Sequence, residues 1–99
     1  MPYIKPKQRE PIDKAIDDGL LIHALRFVPL DNRAGAVNYA ISRIVVGAMK
    51  PKEGWTYPSL SAARAVFRDA EDELRRRLMD PYESHKCVVN GDIPEYVEG

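Results

Sequence analysis

The chain has 99 residues, with 15 acidic side chains balanced by 15 basic ones. That length makes one domain with a modest core, able to bury about 60–68% of its unfolded surface, and zero net charge argues against a general nucleic-acid binder, which is basic overall. A lone cysteine, Cys87, excludes an intrachain disulfide and fits a reducing, cytoplasmic setting, and no apolar run approaches the ~20 residues that a bilayer requires.

Met1 to Glu10 is polar and punctuated by Pro2 and Pro6, so it reads as extended. It has the pattern of neither a signal peptide nor a transit peptide. Tyr3 and Ile4 are apolar enough to dock on the core or on a neighbouring subunit. Pro11 is expected to open the first helix, a favoured role for proline. Ile12, Ile16, Leu20, His23, Ala24 and Phe27 form its apolar stripe, which Leu21, Ile22 and Leu25 widen. Asp13, Asp17 and Asp18 fall early, where the helix dipole favours negative charge. Gly19 is expected mid-helix, at a cost of about 1 kcal/mol against alanine. Pro29, Asp31 and Asn32 then mark a turn.

Asn32 to Met49 is the stretch around which the chain is organised. Val37, Ala40, Ile41, Ile44, Val45 and Ala48 recur at helical spacing, and Tyr39, Val46 and Met49 add apolar surface on a second side. Such a helix needs cover from at least two neighbours or from another subunit. Asp31 or Asn32 can cap its start, and Lys50-Pro51 ends it. Asn38 within a mostly apolar helix needs a hydrogen-bond partner, in packing or in a ligand. Tyr39, turned about 100° from Asn38, serves a different surface.

Lys50 to Pro58 reads as a polar loop whose Trp55 and Tyr57 fold back over helix ends or mark a contact surface. A third helix is expected from Ser59 to Met79. Leu60, Ala63, Phe67, Ala70 and Leu74 make its seam. Glu71, Asp72 and Glu73 each precede an arginine by four residues, at Arg75, Arg76 and Arg77, the favoured order for exposed pairs. Asp80-Pro81 should end or kink it. Val88 to Ile93 reads as two short extended pieces around Asn90-Gly91, a hairpin signal, with Pro94 confining the second piece to an edge. The fold class expected is therefore mainly α: a single domain, residues 1–99, of three helices with a small terminal β-hairpin or extended element.

Four short stretches also resemble, in order, a family of small uncharacterised proteins found in phages and bacteria. They are the opening MPYI, Asn38-Tyr39-Ala40-Ile41, the arginine-rich helix end with Pro81-Tyr82-Glu83, and Asn90-Gly91-Asp92. Ser59 to Ala70 departs from the family pattern. The resemblance carries over no catalytic residue and implies a phage-type accessory protein acting in the cytoplasm.

The residues give no catalytic signature. His23, His85 and Cys87 lack zinc-ligand spacing, and no nucleophile-elbow pattern occurs. Arginine forks suit phosphate, so Arg43, Arg64 and Arg68, with Asn38 and Tyr39, are the candidate ligand-binding set. No metal site and no cofactor is expected. The reading is a non-enzymatic, homo-oligomeric binding module, engaging a host protein or sequestering a phosphorylated, nucleotide-like ligand. One alternative is a magnesium-dependent nucleotide pyrophosphohydrolase using Asp13, Asp17 and Glu71 from two helices. Another is a structural subunit of a larger assembly. Symmetric dimers are the commonest oligomers.

Overall fold

The computed structural model describes residues 4–98. These are 83% helical, with no strand among them. The elements are α1 (Pro6–Asp18), α2 (Leu21–Phe27), α3 (Leu30–Met49), α4 (Tyr57–Leu74), a π-helical turn (Arg75–Met79), α5 (Asp80–Asn90) and α6 (Pro94–Glu98). Four of them are eleven residues or longer, at 13, 20, 18 and 11. The helical class stands; the terminal hairpin and the count of three helices do not.

The described residues fall into two compact units, 4–63 and 64–98, with the boundary inside α4. The first holds α1, α2, α3 and the start of α4. Helix α1 begins at Pro6 rather than Pro11, its entry closed by the Lys5 backbone N–H donating to Gln8 Oε1 at 3.1 Å. Pro11 lies inside α1, where its ring leaves the carbonyl four residues back without a helical donor. Ile4 is exposed, and Tyr3 lies outside the described residues.

The helix expected over residues 11–27 is broken at Gly19. The Gly19 N–H closes α1 on the Ala15 carbonyl at 3.0 Å, and a Cβ there would come within 2.2 Å of that same oxygen. Glycine therefore serves close approach of chain to chain, at a helix end and not in a helix interior. Across the next corner, the Arg33 guanidinium on α3 donates to carbonyls at the C-terminal end of α2, one within the helix and one on the residue that caps it. Its Nη2 reaches Arg26 O at 2.9 Å and Val28 O at 3.2 Å, and its Nε reaches Val28 O at 3.3 Å. A cation at a helix C-terminus also meets the negative end of the dipole. The start of α3 is at Leu30, after Pro29, with no side-chain cap from Asp31 or Asn32; the Asn32 N–H is taken by the Pro29 carbonyl at 2.9 Å.

Thr56 and Ser59 start α4 by a reciprocal capping box. The Thr56 N–H donates to Ser59 Oγ at 2.8 Å and the Ser59 N–H to Thr56 Oγ1 at 3.3 Å. Of the loop aromatics, Trp55 is half-buried and Tyr57 exposed.

In the second unit Asp80-Pro81 does not stop the helix. The ladder widens before the proline, so that the Asp80 N–H reaches the Arg75 carbonyl, and Pro81 then occupies the first turn of α5, where a missing N–H costs least. Val88 and Val89 are consequently helical. Asn90-Gly91 ends α5, with Gly91 at φ +85° and its N–H on Cys87 O at 2.8 Å. An Asn-Gly pair offers the left-handed conformation that a hairpin turn and a helix C-cap both use. Continuity of the helix through Pro81 selects the cap.

The apolar burial is slight. Ala40, Val45 and Ala63 form the buried core. Ile44, Leu21 and Phe27, all on expected apolar stripes, remain 54%, 49% and 76% exposed.

Candidate functional site: an open apolar groove on α2 and α3

Within the first unit, α2 and α3 enclose a groove of about 620 Å³. Its floor is Ala24, Ala36 and Ala40, and its sides include Leu25, Tyr39 and Ile44. Small residues on facing helix surfaces leave the depression and larger ones border it. Among its lining residues Arg43 alone carries a charge, and its guanidinium lies 6.0 Å from the centre of the Tyr39 ring, within cation–π range. A second depression of about 410 Å³, with Ile12, Ile16 and Ile22 in its wall, continues the apolar surface onto α1 and shares Leu21 and Ile44 with the first.

Of the candidate ligand-binding residues, Tyr39 and Arg43 come together in this groove. Asn38 is exposed on α3, so water satisfies its amide and the expected buried hydrogen bond is not required. Arg64 and Arg68 are exposed on α4, one turn apart, in the second unit. The groove residues Leu21, Ala24 and Leu25 of α2, and Val28 just after it, lie outside the sequence-derived set. Their signal was the breadth of the apolar stripe, which exceeds what one packed face needs.

Asp13 and Asp17 belong to the first unit and Glu71 to the second. Among the described residues no group of three or more His, Cys, Asp or Glu side chains could hold a metal ion. Of the arginines after Glu71, Arg77 takes the partner expected, Glu73, while Arg75 and Arg76 take acids three residues back rather than four. Asp72 pairs with Arg75 at 3.3 Å, and Glu73 pairs with both Arg76 and, at 2.5 Å, Arg77. Residues three and four apart share one helix face, so Glu73 serves two partners. Near the end of α5, Lys86 sits 5.6 Å from the Tyr82 ring centre. Cys87 is exposed. Its thiol is pushed above the ordinary range, first by local desolvation, then by the charge of Asp92 and a hydrogen bond with it, and by Glu83.

Fold and groove together define a helical domain with apolar faces left open. The chain belongs to the domain-of-unknown-function family DUF6899, whose model matches residues 1–93. No curated protein matches the chain, and no solved structure does. Among the described residues no helix is long and apolar enough to cross a membrane.

Proposed function

We propose that this chain is a non-enzymatic, oligomeric protein-binding module, a phage-type accessory protein of the cytoplasm whose apolar α2 and α3 faces dock protein helices. The observation that carries this reading is the groove itself. Its lining is apolar apart from Arg43 and the Tyr39 hydroxyl. An amphipathic helix laid in a groove uses apolar anchors at helical spacing with a charge at the rim. A phosphorylated ligand asks instead for several converging forks, so a protein partner suits these residues better than a nucleotide. Burying one Leu- or Ile-sized side chain contributes about 1.5–3 kcal/mol, and Leu21, Phe27 and Ile44 are about half uncovered or more. The phage and cytoplasmic parts of the reading are supported by the resemblance of Asn38-Tyr39-Ala40-Ile41 and Pro81-Tyr82-Glu83 and by the lone thiol.

Sedimentation equilibrium of the full chain at micromolar concentration tests the reading. A homo-oligomer whose mass is indifferent to nucleotide and Mg²⁺ is the expected result. A monomer throughout, or turnover of a nucleoside triphosphate with Mg²⁺, overturns it.

A further inference from the structure

Helix α3 presents a second face, turned partly away from the α2 groove. Asp31, Gly35, Tyr39 and Arg43 follow one another at four-residue steps. Each step of an α-helix advances 40° beyond a full turn, so the four together sweep about 120° of its circumference and about 18 Å of its length. All four are exposed, Tyr39 by 66%. Tyr39, Ser42, Arg43, Val46 and Gly47 line a shallow depression of about 460 Å³ made by α3 alone.

Two observations on this face call for a missing neighbour. Gly35 is interior to the helix, where glycine costs about 1 kcal/mol against alanine, yet a Cβ built there meets nothing within 4 Å. Among the described residues nothing uses the space. Asp31 and Arg43, the charged ends of the row, have no ion-pair partner among the described residues.

From these we infer that a second copy of this chain packs antiparallel across this face of α3, the two axes crossing at about 50° so that the four-residue rows align, about a two-fold axis level with Val37. This rests on the oligomeric reading above and specifies its interface. In that register Asp31 lies opposite the partner's Arg43, and Gly35 lies opposite the partner's Tyr39. Asn32 lies opposite the partner's Ser42. The two-fold repeats each pairing, as an isologous interface must. The gap at Gly35 receives a tyrosine ring, and the charges meet with opposite sign at both ends. A parallel pairing places Asp31 by the partner's Asp31 and Arg43 by the partner's Arg43, which like-charge repulsion opposes.

Charge exchange tests the register. Asp31→Arg and Arg43→Asp are surface changes, and unchanged circular dichroism at 222 nm shows that each variant folds. By sedimentation equilibrium, each single reversal is expected to raise the dimer dissociation constant at least tenfold, because every dimer then contains two like-charge pairs. The double variant Asp31→Arg/Arg43→Asp restores opposite signs and is expected to return to within threefold of the parent. Gly35→Leu, which fills the gap, is expected to dissociate the dimer. An oligomer indifferent to all of these overturns the α3 register while leaving oligomerisation standing. A parent chain that is monomeric at tens of micromolar overturns both.

Discussion

Arg33→Ala removes the guanidinium that closes the end of α2. In the parent its Nη2 donates at 2.9 Å to Arg26 O and 3.2 Å to Val28 O, with Nε at 3.3 Å to Val28 O. Hydrogen bonds from a charged donor contribute about 1.5–3 kcal/mol when well enclosed. Arg33 is half-buried and the carbonyls regain water when it is removed, so the expected loss is about 1–2 kcal/mol. For a domain of this size that lowers Tm by about 4–16 °C. Arg33→Lys keeps the charge at the dipole end but loses the fork, and should fall between the two. Urea unfolding followed at 222 nm gives the magnitude, with protomer concentration held constant because association shifts apparent stability. Amide exchange gives the location: α2 should open faster in Arg33→Ala while α5 is unchanged. A variant within about 0.3 kcal/mol of the parent, with α2 protection unaltered, would refute the claim that this side chain fixes the α2–α3 corner.

Val45 is the largest buried apolar side chain among the described residues, at 6% exposure. Val45→Ala should cost about 2 kcal/mol, from two lost methyl groups and the space they leave, read by the same unfolding assay. Gly91→Ala forces a β-carbon into φ +85° at the end of α5 and should cost about 1–3 kcal/mol, visible as faster amide exchange over the last turn of α5. The Cys87 thiol is raised chiefly by desolvation and by Asp92. Because raising an acid's pKa lowers its thiolate fraction at a given pH, alkylation of Cys87 by iodoacetamide should be slow at pH 8 and climb through the alkaline range. Asp92→Asn should speed the reaction at pH 8; equal rates in parent and variant would count against the assigned cause.

The family match over residues 1–93 accords with short stretches read from the sequence, but neither supplies chemistry. What gives the candidate site its character is the coincidence of alanines and large apolar residues between α2 and α3. That coincidence is a property of two helices at once. The apolar period of residues 37–48 announced α3 and its end at Met49, since 3.6-residue periodicity and a following proline are local signals. Tyr39 and Arg43 entered the candidate set separately, and the structure brings them together one turn apart on α3.

Other features of the chain followed from tertiary context. Gly19 has the same sequence signature whether it sits inside a helix or ends one; the Ala15 carbonyl lying where a Cβ would be distinguishes them. Asp80-Pro81 stops most helices, yet a π turn opens the ladder and lets α5 continue. Asn90-Gly91 then becomes a helix cap and the two valines before it turn helical. The sequence by itself determined the helical class, the end of α3 and the surplus of apolar surface, because periodicity and composition act residue by residue. Only the tertiary structure decided where helices break and which apolar faces stay open, because those depend on atoms brought close by the fold and not by the order of the chain.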